Sequence, residues 1–171
     1  MRRRRGRGGR PGTVRETPGT YDPGAAPSRV AYFDASALVK RYVESETGAA
    51  AVAALWPTCE CHSTTFAAVE VRAALARRRR DGTLAASAEA TLVAAAQLDQ
   101  AEMELVPPAT PVLEEALRLV AVHPLRTLDA LHLASALIVA RRGPAEFVLV
   151  TADQRLAAAA RAEGLRVIVP A

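Results

Sequence analysis

Aromatic residues are scarce in this 171-residue chain, with one tryptophan, three tyrosines and three phenylalanines. Alanine and leucine supply most of the apolar half of the composition instead, which favours a helix-rich globular fold. No apolar run is long and charge-free enough to cross a bilayer. The arginines at the amino terminus lack the apolar stretch that would follow them in a secretory signal, so a cytoplasmic location is expected. The only two cysteines are Cys59 and Cys61, beside His62. A disulfide between residues two apart would be strained. A metal site would need at least one further ligand at a sensible spacing, and none is evident. Reduced cysteines near a strand are expected. Several nucleophile and phosphate motifs are also missing: G-x-S-x-G, the Walker loop and H-E-x-x-H.

The charge is uneven. Residues 1–28 hold seven arginines against Glu16 and Asp22, or +5, so the rest of a chain that totals +4 carries −1. The basic balance describes a tail and gives little reason to expect nucleic-acid binding by the folded part. That tail, rich in Arg, Gly and Pro, cannot bury enough apolar surface to offset its ordering entropy, and disorder is expected over 1–28. It could lend sequence-independent RNA affinity. The composition changes abruptly after Ser28, and GUG can encode Val30 and serve as a bacterial start. A second expectation is therefore that 1–28 stems from a mis-assigned start, with the domain spanning 29–171.

From Arg29 onward apolar runs alternate with helical periodicity. Strands are expected at Arg29–Phe33, Cys59–Thr64, Glu104–Val106, Phe147–Thr151 and Leu165–Val169. Helices are expected over Ala35–Val43, Glu46–Trp56, Thr65–Arg80, Thr83–Gln100, Pro111–Val122, Thr127–Arg142 and Gln154–Glu163. Pro57, Asp81-Gly82, Gly143-Pro144 and Gly164 supply the stops. This order predicts an α/β fold, a mainly parallel sheet with helices on both faces. Ligands of such sheets bind beyond the carboxyl ends of the strands.

Two acidic residues fall at such ends: Asp34 directly after VAYF, and Asp153 just beyond FVLVT. Each could equally be a helix N-cap. Glu70 interrupts a rather apolar helical stripe, and either a cation or a basic side chain such as Arg77 could answer its charge. Asp129 lies in the first turn of an alanine-rich helix, where it could favour the helix dipole. Taken together, four carboxylates from four segments would repel one another in a shared cleft unless they held a hard cation, Mg²⁺ or Mn²⁺.

The stretches AYFDASALVKRYVESE, TTFAAVEVRAALARR, RTLDALHLASAL and VLVTADQRLAAAARAEGLRVI span most of residues 30–169. In order and spacing the chain resembles the PIN-domain nucleases, specifically the VapC-type toxins of bacterial toxin–antitoxin pairs. The resemblance implies an α/β/α sandwich and Mg²⁺- or Mn²⁺-dependent RNA cleavage. It implies Asp34, Glu70, Asp129 and Asp153 as the catalytic acids, with the metal on Asp34 and Asp129 supported by Glu70 and Asp153. Ser36 and Thr151 match hydroxyl positions that could orient a carboxylate or a water. A cognate antitoxin and a homodimer are implied as well. An arginine of the antitoxin is expected over the acids, with Trp56 as an aromatic anchor nearby. Arg126, Lys40 and Arg41 are candidate phosphate contacts by their nearness to acidic positions in sequence.

Other readings remain. A PIN-type RNA-processing nuclease that is not a toxin fits the same acidic residues. A receiver-like signalling domain also uses strand-end acids and Mg²⁺, but it would want an acidic neighbour beside Asp34 and a lysine after Thr151, and neither is present. A catalytically inactive RNA-binding module would not need all four acids.

Overall fold

A computed structural model describes residues 29–171. The expected disorder and mis-assigned start of residues 1–28 lie outside the described residues.

The first strand, β1 (Arg29–Phe33), leads into helices α1 (Ala35–Tyr42) and α2 (Ala49–Leu55). A short 3₁₀ turn at Trp56–Thr58 precedes β2 (Glu60–Thr64). Helices α3 (Ala67–Arg80) and α4 (Ala86–Glu102) come next, then β3 (Glu104–Val106), α5 (Thr110–Val122) and α6 (Thr127–Ala140). The chain continues through β4 (Glu146–Val150), α7 (Gln154–Ala162) and β5 (Val167–Ile168).

All strand pairings are parallel, in the order β3-β2-β1-β4-β5. Strand β1 is central. Its side chains alternate between two cores, as the two-residue period of a strand requires. Val30 and Tyr32 face one core with Leu119, Leu133 and Leu156, under α5, α6 and α7. Ala31 and Phe33 face the other with Leu38, Val52, Val71 and Leu75, under α1 to α3. Helices therefore cover both faces, and the expected α/β/α sandwich is present.

The departures from expectation are local. Helix α2 begins at Ala49 rather than Glu46 because Gly48 adopts a left-handed backbone, with φ of 85°. A Cβ there would lie 2.5 Å from the Pro170 carbonyl carbon, so no side chain fits without displacing that segment. Helix α4 starts at Ala86, three residues later than Thr83, because the Thr83 backbone and hydroxyl both donate to the Arg78 carbonyl and close the preceding turn. The last strand keeps only Val167 and Ile168.

Strands β2 and β3 continue from β1 on one side, while β4 and β5 lie on the other. Connections leaving β1 and β4 diverge, which opens a crevice at their carboxyl ends. The Asp34 amide donates to the Val150 carbonyl at 3.1 Å, which ties the two ends together there.

Candidate active site

Asp34 is the first residue after β1 and is 4% exposed. It caps α1, accepting from the Ala37 amide at 2.9 Å. The Ser36 hydroxyl spans both carboxylate oxygens, at 2.8 and 2.9 Å. The Thr151 hydroxyl, at the end of β4, donates to Asp34 Oδ2 at 2.8 Å. Burial pushes the Asp34 carboxyl above its ordinary pKa; nearby His132, then the bonds from Ala37, Ser36 and Thr151, pull against that rise.

Thr151 also links Asp34 to Asp153. The Asp153 amide donates to the Thr151 hydroxyl at 3.0 Å. Asp153 in turn caps α7, its Oδ1 accepting from the Arg155 and Leu156 amides at 2.8 and 3.1 Å. The Arg155 guanidinium stands 3.7 Å from Asp153 Oδ2 and 3.9 Å from Asp129 Oδ2. Asp129, in the first turn of α6, accepts from the Arg126 amide at 3.2 Å. One turn further along α6, His132 places Nε2 2.8 Å from Glu70 Oε2 on α3. Its Nδ1 meets the hydroxyl of the fully buried Tyr32 at 3.1 Å.

The acids fall into two linked groups near the carboxyl ends of β1 and β4. One runs from the Asp34 carboxylate through the Thr151 hydroxyl to the Asp153 backbone, and from the Asp153 carboxylate through Arg155 to Asp129. The other is Glu70 bonded to His132, which lies three residues after Asp129 on α6. Asp34, Asp129 and Asp153 each satisfy an amide of a helix start, and capping leaves part of each carboxylate for other partners.

Ser36 and Thr151 sit where expected, on the Asp34 carboxylate. Arg126 has an exposed side chain at the N-cap of α6 and meets Asp129 through its backbone amide. The structure does not bring Lys40 and Arg41 to the acids. Lys40 pairs with Glu46 at 3.4 Å, and Arg41 pairs with Asp99 at 3.4 Å and lies over the Trp56 ring. Six and seven residues into a helix that leads away from Asp34, they are roughly 9–10 Å further along the axis. Trp56 is no free anchor either, since its ring packs on Phe33 with centroids 5.1 Å apart. Glu70 is answered by His132, not by Arg77.

Two members of the set were not singled out in the sequence. His132 lies three residues after Asp129, on the same helical face, which was a readable signal. Arg155 is two residues after Asp153, and only the folding of α7 toward α6 gives it a second carboxylate.

Among the described residues, no three His, Cys, Asp or Glu side chains stand close enough to share one metal ion. The donor chemistry nevertheless fits a hard divalent cation, because the set offers carboxylate and hydroxyl oxygens. Arg155 already supplies positive charge between two of the acids, and Asp34 is a buried carboxyl that a cation would relieve.

The PIN domain family profile matches residues 31–162. Two ribonucleases of Mycobacterium tuberculosis, VapC45 of strain CDC 1551 and VapC49 of strain H37Rv, are each 40% identical over 137 residues, covering 80% of this chain and 92% of theirs. Among solved structures, a toxin–antitoxin complex from Klebsiella pneumoniae aligns with a TM-score of 0.59 at 16% identity, covering 82% of this chain and 98% of that one. VapC20 of M. tuberculosis, a toxin that cleaves the sarcin-ricin loop, aligns with a TM-score of 0.56 at 16% identity, covering 75% of this chain and 94% of that one. At these identities the structural likeness establishes the fold.

Proposed function

Since the chain belongs to the PIN-domain family, and within it to the VapC ribonucleases, we propose that its linked acids hydrolyse RNA phosphodiester bonds with the help of Mg²⁺ or Mn²⁺. One observation carries the reading. Asp34, held by Ser36 and Thr151, follows β1; Arg155 lies between Asp153 and Asp129; and Glu70 is held by His132, three residues after Asp129 on α6, near the strand ends where such sheets bind ligands.

Asp34 and Asp129 would hold the cation, with Glu70 and Asp153 in support. A bound divalent cation supplies Lewis acidity toward the phosphodiester and a more acidic attacking water. The protein's own groups do the positioning. Ser36 and Thr151 fix the rotation of the Asp34 carboxylate. His132 engages Glu70 Oε2, which leaves Oε1 as the acceptor for a proton of the water. Arg155 and the exposed Arg126 can pair with phosphate oxygens of the RNA.

The partners are inferred from the same membership. The protein is proposed to act in the cytoplasm as the toxin of a toxin–antitoxin pair; no helix among the described residues is long and apolar enough to cross a membrane. An antitoxin arginine is the natural cover for the acids. The apolar groove between α3 and α4, a cavity of about 470 Å³ lined by Val69, Val71, Leu75 and Val93, suits the rest of such a segment. A homodimer would cover the exposed Leu113, Leu117 and Val120 of α5 together with Leu128.

The test is cleavage of a fluorogenic single-stranded RNA by wild type and Asp129→Asn, with Mn²⁺ and with chelator. Asparagine keeps the oxygen that accepts from the Arg126 amide, so the fold should survive. The rate should fall by at least about two orders of magnitude. Full activity in the variant, or in chelator, would overturn the assignment.

A further inference from the structure

The two thiols lie at the other end of the sheet from the acids. Cys59 has extended backbone and immediately precedes β2, so Cys59 and Cys61 project from the same face. Glu60 and His62 project from the opposite face, where His62 Nε2 meets Glu60 Oε1 at 2.8 Å. The two sulfurs are 3.8 Å apart, and both cysteines are free. Strand β3 pairs with β2 in parallel, His62 opposite Glu104. One residue earlier are Cys61, in β2, and Met103, which has extended backbone and immediately precedes β3; continuing the register sets them about 4.8 Å apart, and both pack in the same core. Cys59, Cys61, Met103 and Trp56 all line one cavity of about 290 Å³. The third sulfur comes from 42 residues beyond Cys61, which is why no spacing within the sequence pointed to it.

We propose that Cys59, Cys61 and Met103 form a binding site for a soft, thiophilic cation of the monovalent copper class, separate from the acidic set. The geometry of the sulfur pair suits one ion. With metal–sulfur bonds of about 2.3 Å, two thiolates on a tetrahedral or trigonal centre stand about 3.8–4.0 Å apart. The donor set selects the ion. Thiolate and thioether sulfur together favour Cu(I), whereas structural Zn²⁺ wants four ligands drawn from thiolate, imidazole and carboxylate. His62 is on the wrong face. Glu60, Asp99 and Glu102 also line the cavity, but Glu60 is bonded to His62, Arg41 holds the Asp99 carboxylate at 3.4 Å, and no carboxylate among the described residues stands close enough to the two thiols to complete a three-ligand site with them. Binding releases the two thiol protons to water and forms two thiolate bonds and one thioether bond, with no change in oxidation state.

The experiment uses the full chain, reduced and under anaerobic conditions, titrated with Cu⁺ buffered by a chromophoric chelator. One ion per chain is expected. The emission of Trp56, the only tryptophan, should be quenched to an end point at one equivalent. Cys59→Ser and Cys61→Ser should each weaken binding by more than about 100-fold, beyond what loss of an outer hydrogen bond to a ligand costs. Met103→Leu keeps the apolar volume and should weaken it measurably while leaving the circular dichroism unchanged. Single-serine variants that bind as tightly as wild type would overturn the proposal. So would two ions bound per chain without quenching, or Zn²⁺ displacing Cu⁺ at equal concentration.

Discussion

His132 on α6 and Glu70 on α3 meet at 2.8 Å across 62 residues of sequence, and the same imidazole reaches the buried Tyr32 hydroxyl at 3.1 Å with its other nitrogen. The ring is 2% exposed, so both of its nitrogens are satisfied by protein. A carboxylate that would otherwise swing freely is thereby tied to the core of the sandwich. Tyr32→Phe should cost about 0.5–1.5 kcal/mol of stability and leave the cleavage rate close to wild type. His132→Ala should cost more, about 2–4 kcal/mol through the lost packing and the orphaned Tyr32 hydroxyl, and should also slow cleavage. Urea denaturation and RNA turnover measured on the same samples separate the two effects. A His132→Ala enzyme of normal rate would show that Glu70 needs no positioning.

Burial raises the Asp34 pKa above the ordinary carboxylate value, which means the folded protein disfavours the ionised form. The stability linked to this group is fully present at low pH and is lost as pH rises through the raised value. In chelator at neutral pH, Asp34→Asn should therefore melt higher than wild type. The gain should disappear once the pH falls below the ordinary carboxylate range. Asparagine can still accept from the Ala37 amide, so the cap survives. Melting curves across pH check the sign; a variant that melts lower at neutral pH would contradict it.

Arg155 stands between Asp129 and Asp153 and competes with any cation those acids attract. Arg155→Ala should increase the rise in melting temperature on adding Mn²⁺, compared with wild type. At about 100-fold excess over Kd, a ligand that binds only the folded state adds about 2.7 kcal/mol. Equal Mn²⁺ shifts in the two proteins would separate Arg155 from the cation site.

Far from the acids, Glu163 is bonded by Arg118 at 2.6 Å and by His123 at 2.7 Å, joining the end of α7 to α5. Its pKa is lowered to about 2, by Arg118 first and then by His123. The sign is opposite to that of Asp34. This contribution is present above the ordinary glutamate range and is lost as pH falls toward 2. Glu163→Gln should lower stability at neutral pH, and the difference from wild type should close as the solution becomes strongly acidic. A gap that persists unchanged at low pH would point to packing in place of charge.

Residues 1–28 differ so sharply in composition from the rest of the chain that a truncated protein beginning at Val30 is expected to fold and to cleave RNA. Any affinity the tail adds through its arginines should fall steeply with salt. An insoluble truncation, or one inactive at every salt concentration, would place the tail within the working domain.

The sequence displayed the elements far better than their meeting points. Strand β1 and strand β3 match the expected bounds, because runs such as VAYF between turn signals leave little choice. Helix starts shifted where a single backbone feature decides them, as at Gly48. The positions of Asp34 and Asp153 just beyond β1 and β4 were readable, because the apolar runs that precede them mark the strand ends. Lys40 and Arg41 show the weakness of inferring space from sequence distance, since the helix that begins at Asp34 carries them away. Arg155 and the Tyr32–His132–Glu70 chain could not be read in full, because each depends on two helices or a helix and a strand arriving at one point.

Strand β1 has as neighbours β2, which comes soon after it, and β4, which begins more than a hundred residues later at Glu146. Asp34 receives its Thr151 hydroxyl and its link to Asp153 only when that late pairing closes. Parallel pairings of such long span form slowly, since the loop must close before any contact rewards it. During synthesis the amino-terminal half carries Asp34 and Glu70 but lacks Asp129, His132, Thr151 and Asp153. On the proposed assignment, the acids therefore come together only at the end of translation, and an unfinished chain on the ribosome would hold no competent nuclease.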